Sequence, residues 1–383
     1  MKRKASKKHL YEIDLMRIIF IGGVLLTHIT TIVTNDVKSN ANAYLFMNST
    51  HLIVHFVRMG FMFITGLVLT LNYYNRKNKW KRFYKRRFSG IFIPYVAWNV
   101  ILLFFVNWIH GYSFQWKKFI LTALEKIQFG NSFFLYYLLV IMQFYLLFPI
   151  LLWLFKHYQK KQNLILLLSF IFQITILISI KYFVLNINTD HWWYLFRDFG
   201  KDVIVYQFYF IAGMYISTHY QKVIKFFIKK QKIIGLGTLF LALATIPLFF
   251  FDRNFLGLSL HNSHLPHQPF LFFYFLFMIA LIFCLGLKYA YLRKHGLSKR
   301  TDQLILLFSR LSFGIFLSQT IPVRILGKII NIFGLNPWVE IILIPIFLAI
   351  VVVFSGLLTW MLIKIPPFGI LVGKINFFQK KNT

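Results

Sequence analysis

"DLMRIIFIGGVLLTH", residues 14–28, opens the first long apolar run of the chain, yet it carries an arginine at 17 and a histidine at 28. A charge at the centre of a bilayer costs about 2.5–3.5 kcal/mol on insertion scales, so the stretch must first be assigned to water or to lipid. Composition assigns it to lipid. Hydrophobic residues make up 58%, aromatics 20% and charged residues 14% of 383 positions, where a soluble domain carries about 25% charged residues. There are 47 Phe and 20 Tyr against 10 carboxylates. Lone strands cannot satisfy their backbone in lipid, so the chain is expected to be an all-α integral membrane protein, a single helical bundle.

About ten apolar runs approach the roughly 20 residues that a spanning helix needs. They lie near 15–34, 51–74, 88–107, 133–155, 163–185, 203–218, 233–251, 270–287, 304–321 and 339–363. Lysine and arginine alternate between the connections. Lys2, Arg3, Lys4, Lys7 and Lys8 precede the first run, and "NRKNKWKRFYKRRF" follows the second. "KHYQKK", "HYQKVIKFFIKKQK", "KYAYLRKHGLSKR" and the Lys380–Lys381 tail continue the series, whereas the intervening connections hold few cations, such as Lys38 and Arg253. Positive loops stay cytoplasmic, so both termini are expected there. The net charge of +33 would suggest nucleic acid in a soluble protein. Here it is mostly topology, with a part suited to anionic membrane lipid, and no nucleic-acid partner is expected.

The single cysteine, Cys284, permits no intrachain disulfide. The first run lacks a small-residue cleavage site and is followed by many others, so it reads as a span rather than a cleaved signal. No internal repeat, low-complexity linker or soluble appendage is visible, and every connection is short. Residues 1–383 therefore read as one multispanning domain, with a basic N-terminus at 1–14 and a basic tail at 364–383.

Arg17 and His28 are eleven residues apart, about 20° from three full helical turns, so both project from one face with an axial separation of about 16 Å. Asp14, three residues before Arg17, is within reach as its ion-pair partner. Taken singly, Arg17 could be a snorkelling anchor and His28 a helix–helix hydrogen-bonder. Their shared face argues for one path through the membrane.

Aspartate, arginine three residues on, then ten residues and a histidine resembles the first-helix signature of the acyltransferase-3 family of multispanning membrane proteins. "GFMFITGLVL" (60–69) resembles the family's apolar segment ending in Ser-Gly, with Thr65 where serine is usual. "RRFSGIFIPY" (86–95) is similar to its basic stretch before Ile-Pro-Tyr, and "RLSFGIFLSQ" (310–319) to a late helix that usually ends in histidine. The likeness covers essentially the whole chain. "YYLLVIMQFYLLFP" (136–149) and "FYFIAGMYIS" (208–217) look most like the intercellular-adhesion protein C branch. That branch is associated with poly-N-acetylglucosamine of biofilms and is described either as its exporter or as its O-acyltransferase.

The resemblance implies transfer of an acyl group from cytoplasmic acyl-CoA to a hydroxyl of an extracytoplasmic sugar, with no permanently bound cofactor. An alcohol attacking a thioester needs a base, and neutral histidine is suited to that near pH 7. His28 is the candidate, as base or as acyl carrier. Arg17 would hold donor phosphate or pantetheine or the thioester oxyanion, and Asp14 would orient it. Arg86 and Arg87 suit the phosphates of coenzyme A and also obey the positive-inside rule; Arg310 has the same two readings. Tyr95 and Gln143, in the motif-bearing third and fourth runs, are further candidates for substrate contact. Gln319 stands where many members have a late histidine; it can donate and accept hydrogen bonds but not shuttle a proton at neutral pH, so it is assigned to substrate positioning.

In "HLIVHFVR" (51–58) His51, His55 and Arg58 share a helical face. With no acidic third ligand nearby they read as a polar wall for the acceptor, Arg58 lying deepest. "HNSHLPH" (261–267) is read as an exposed loop, and Trp192, Trp193 and Tyr194 as an interface belt. No carboxylate pair or Ser-His-Asp order is visible. The expected function is membrane O-acyl transfer to a polysaccharide, in company with a glycan synthase, and the alternative is export of that polysaccharide without chemistry. Cysteines placed singly at Asn78 and Asn262 are expected to differ in intact cells: an impermeant thiol reagent labels position 262 and spares 78, and the reverse pattern contradicts the topology.

Overall fold

The structure is a computed structural model that describes residues 9–374 except 78 and 190. The basic residues at 2–8, Lys380 and Lys381, and Asn78 lie outside the described residues. Among the described residues sixteen α-helices follow in order: α1 (Tyr11–Asp36), α2 (Ala41–Thr50), α3 (Val57–Tyr73), α4 (Trp80–Ile109), α5 (Trp116–Phe129) and α6 (Tyr136–His157). Then come α7 (Gln162–Tyr182), α8 (Tyr194–Arg197), α9 (Gln207–Thr218), α10 (Tyr220–Leu243), α11 (Thr245–Phe250) and α12 (Leu260–Ser263). The series ends with α13 (Pro269–Leu292), α14 (Lys299–Ser318), α15 (Thr320–Phe333) and α16 (Pro337–Lys364). No strand occurs among the described residues. Phe240 and Ile342 are 72% and 74% exposed on otherwise apolar faces; such faces are satisfied by lipid, not water.

The sequence suggests about ten spans. Eight helical stretches among the described residues are long and apolar enough to cross a membrane, or nine when α14 and α15, bent by 64° at their junction, count as one. The run at 203–218 is the one that falls short: a 3-10 turn at Val203–Tyr206 leads into the twelve-residue α9. Segments 184–201 and 261–267 nevertheless wall one cavity, so the chain leaves and returns through α9 and α10. The connections also hold more structure than their composition suggests. Between the third and fourth runs lies α5, whose Trp116, Ile120, Leu121 and Leu124 are exposed beside Lys117 and Lys118, the pattern of a helix lying in a membrane interface.

At the centre runs α1, packed against α3, α13, α14, α15 and α16. Met16, Phe20, Ile29 and Val33 are fully buried along it. The tightest helix pair is α3 with α9. A Cβ at Gly66 would come 2.1 Å from the carbonyl oxygen of Phe210, and one at Gly213 2.1 Å from that of Phe63. Small residues let membrane helices approach backbone to backbone, and with α7 on another side the short α9 is enclosed by protein. Toward the Tyr182 end of α7, buried Lys181 donates to Asp252 (2.6 Å) and to Gln268 (2.7 Å), tying α7 to the segments either side of α12. Removing one partner of a buried pair costs about 3–5 kcal/mol.

Gly213→Leu is expected to abolish accumulation of folded protein, because backbone cannot move aside, whereas Gly22→Ala, with open space at its Cβ, is expected to be neutral. Fluorescence-detected size exclusion of both variants in detergent checks this.

Candidate active site

The helix α1 is unbroken from Tyr11 to Asp36, so the eleven-residue spacing holds and Arg17 and His28 sit about 16 Å apart along one axis. His28 is the shared wall of two cavities. One, of about 240 Å³, is lined by Thr27, His51, His55, Arg58 and Tyr137 beside it. The other, of about 550 Å³, extends toward the Asp36 end of α1 and is lined by Gln319, Thr320, Arg324, Lys328 and Asn331. The His28 ring packs 5.1 Å from that of Phe134 and makes no hydrogen bond to any described residue. It is not a helix–helix hydrogen-bonder. Both ring nitrogens remain for a ligand.

Arg58 hydrogen-bonds the Tyr136 hydroxyl, lies 3.5 Å from His55 Nδ1 and reaches Tyr206. Through Arg58 and Tyr136 the smaller cavity meets a third, of about 510 Å³, walled by the segments 184–201 and 261–267. His51 and His55 stand with ring centres 4.6 Å apart, and His264 lies 5.3 Å from His51. The helical face on which they were expected is broken, since 51–54 form a 3-10 turn before α3. His264 donates through Nε2 to the Asn48 carbonyl. Among the described residues no three His, Cys, Asp or Glu side chains are grouped to hold a metal ion.

His267, expected in an exposed loop, is 2% exposed. Burial, with the Arg58 charge acting in the same direction, pushes its imidazole down to about 3, so it is neutral at any physiological pH. Neither ring nitrogen has a partner. Nor do His51 Nδ1, His55 Nε2, the Tyr137 hydroxyl, Gln319 Oε1 or Thr320 Oγ1. Each such buried group costs about 1–3 kcal/mol when unpaired, and all of them line the three cavities.

Three turns along α1 from His28, Arg17 makes no ion pair or hydrogen bond with a described residue. Asp14, expected to pair with it, is instead engaged by Ser309 Oγ (2.6 Å) and His9 Nε2 (2.5 Å), and it acts on Arg17 only as a nearby charge. The reason is packing: α14 presents Ser309 to that face of α1. The neighbours of Arg17 are Arg87 and Tyr145. The Arg87 guanidinium lies 6.0 Å and 5.9 Å from the ring centres of Tyr73 and Tyr145, and its Nε is buried without a partner. Two guanidinium groups thus converge without a carboxylate between them, an arrangement suited to a phosphate or carboxylate ligand.

The remaining candidates separate. Arg86 and Arg310 are exposed, on the outward faces of α4 and α14, away from Arg17 and from the cavities. Tyr95 donates to the Ile127 carbonyl at 2.6 Å, pinning α5 to α4. Gln143 donates to the Lys201 carbonyl and accepts from the Val203 amide, both at 2.9 Å, and so clamps the segment before α9. Neither lines the three cavities. Gln319 sits at the α14–α15 bend, donates to the Phe316 carbonyl at 2.9 Å and faces the larger cavity beside His28.

A family model described as an acyltransferase domain, Acyl_transf_3, matches residues 10–360. The chain belongs to this acyltransferase family. Similar proteins include the "probable poly-beta-1,6-N-acetyl-D-glucosamine export protein" of Staphylococcus aureus strains MRSA252 and MSSA476, each 27% identical over 224 residues. The match takes in 57% of this chain and 60% of each relative, so the chain spans about three fifths of the length of the curated relatives it matches. No solved structure matches it. For a multi-pass membrane acyltransferase family member, the residues that sequence reasoning missed are His267, Tyr137 and the α15 stripe of Arg324, Lys328 and Asn331. The stripe was readable: spacings of four and three put polar residues on one face of an apolar helix. His267 was not, because its burial depends on how two distant connections fold over Arg58.

Proposed function

We propose that the protein is a membrane O-acyltransferase that takes an acetyl or succinyl group from acyl-CoA on the cytoplasmic side and attaches it to a hydroxyl of an extracytoplasmic polysaccharide. Poly-β-1,6-N-acetylglucosamine is the acceptor, by extension from the printed names of the relatives. The observation that carries this reading is His28: an imidazole with both nitrogens uncommitted, shared by two cavities, and three turns from the Arg17 guanidinium, which makes no ion pair and converges with that of Arg87 on α4. In this reading residues 1–383 act as one unit, both termini are cytoplasmic, and a glycan synthase supplies the polymer.

Arg17 and Arg87 hold the anionic or carbonyl portion of the donor, and the extended acyl-pantetheine arm spans the roughly 16 Å to His28. His28 removes the proton from the sugar hydroxyl as its oxygen attacks the thioester carbon. The tetrahedral intermediate collapses with loss of the thiolate, which takes the proton back from the imidazolium, leaving an ester and free coenzyme A. Gln319, with one amide end fixed on Phe316, presents its oxygen to an acceptor hydroxyl. The word "export" in the relatives' names favours a second reading, in which the same cavities conduct polymer and no ester forms.

His28→Ala is expected to reduce acyl groups per sugar on secreted polymer by about 10²–10⁴-fold at near-normal protein level. Arg17→Lys is expected to be severely impaired, because a point charge does not replace a planar fork. Arg87→Gln is expected to raise the apparent Michaelis constant for acyl-CoA, and Arg86→Gln to leave it unchanged. Unaltered acylation in His28→Ala, with altered polymer outside the cell, contradicts the enzyme reading and supports export.

A further inference from the structure

The three cavities adjoin in series, and His28 lines two of them. The smallest, at about 240 Å³, is below the roughly 300–1,000 Å³ of a complete small-molecule site, so it holds only part of a ligand. It shares His28, Thr31, Phe133 and Phe134 as walls with the 550 Å³ cavity, and the hydrogen-bonded Arg58 and Tyr136 with the 510 Å³ cavity. Volume for a ligand centred on His28 therefore adjoins in two directions. Six residues with an unpaired buried polar atom follow the same course. His267 waits in one arm, His51, His55 and Tyr137 in the middle, and Gln319 and Thr320 in the other arm. Side chains that can take hydrogen bonds, spread along a groove rather than gathered at a point, fit a ligand with hydroxyl or amide groups along its length.

Charge narrows the class further. Despite the excess of cations in the chain, neither arm is uniformly basic. One carries Asp198 among Arg58, Arg197 and Lys201; the other carries Asp36 beside Arg324 and Lys328. A carboxylate in each arm disfavours a polyanion and suits a neutral or weakly charged polyhydroxylated chain. Resting on the acyl-transfer reading, we infer that the acceptor is a linear glycan whose chain runs through both arms, so that the residue acylated at His28 is an interior one and not a chain end. The arms act by binding sugar on both sides of the reacting residue, and acceptors too short to enter both arms lose rate as well as affinity, because remote binding energy supports the reacting geometry.

The test uses the full chain in membrane vesicles, with acetyl-CoA as donor and β-1,6-linked N-acetylglucosamine oligomers from disaccharide to hexasaccharide as acceptors. The expected result is a kcat/KM about tenfold or more higher for hexasaccharide than disaccharide, with mass spectrometry placing the ester on interior residues. His267→Gln in one arm and Lys328→Gln in the other are each expected to shrink the hexasaccharide advantage. Lys328 is exposed, so its variant remains informative where a change at buried His267 impairs folding. Equal rates at all lengths, or esters confined to a chain end, overturn the groove while leaving acyl transfer intact. Transfer to no acceptor overturns both.

Discussion

A bilayer offers no water to a guanidinium group or an imidazole, so each must be solvated by protein or by a ligand. On α1 neither the Arg17 guanidinium nor the His28 imidazole is solvated by a partner side chain. The carboxylate closest in sequence, Asp14, is taken by Ser309 and His9, and Arg17 instead shares its surroundings with Arg87 and Tyr145. His28 faces open volume on two sides. A helix that kept these groups for anchoring alone would be expected to pair them. The architecture around α1 keeps space in front of His28.

Two local devices create that space. The contact of Gly66 and Gly213 with opposing carbonyl groups draws α9 against α3, and Gln143 clamps the segment entering α9. These contacts bring segment 184–201 beside segment 261–267 over Arg58. On the other side, the 64° bend between α14 and α15 swings the polar stripe of α15 away from α14 and leaves Gln319 facing the cavity. A straight helix through this region would carry Arg324 and Lys328 along the line of α14. His51, His55, Tyr137, His267, Gln319 and Thr320, each with a buried polar atom left unpaired, lie where these two devices leave room.

Much of this was legible in the sequence. The apolar runs gave the class and every long helix, and the arginine–histidine spacing survived because α1 has no break. The family signature named the same two residues. What the sequence could not supply was pairing between distant elements. Asp14 looked like the partner of Arg17 because helical spacing is local, while Ser309 comes from almost three hundred residues away. Arg86 and Arg87 are adjacent in sequence yet one is exposed and the other faces Tyr145, since neighbours on a helix diverge by about 100°. Tyr95 and Gln143 belong to conspicuous motifs, but the neighbours that claim their hydrogen bonds, Ile127, Lys201 and Val203, lie in connections whose fold composition does not reveal. The short α9 escaped a length criterion because protein surrounds it, none of its residues being exposed.

The central claim is that one path along α1 joins a donor on one face of the membrane to an acceptor on the other. The most direct measurement places purified protein in sealed vesicles of uniform orientation, with acyl-labelled acyl-CoA on the face bearing the Arg17 end of α1 and a glycan oligomer on the face bearing the His28 end. The account predicts label on the oligomer across the membrane, with released coenzyme A remaining on the donor face and no transfer when donor and acceptor share either face. Oligomer that crosses the membrane unlabelled, or label transferred only when both substrates are on the same face, would contradict it.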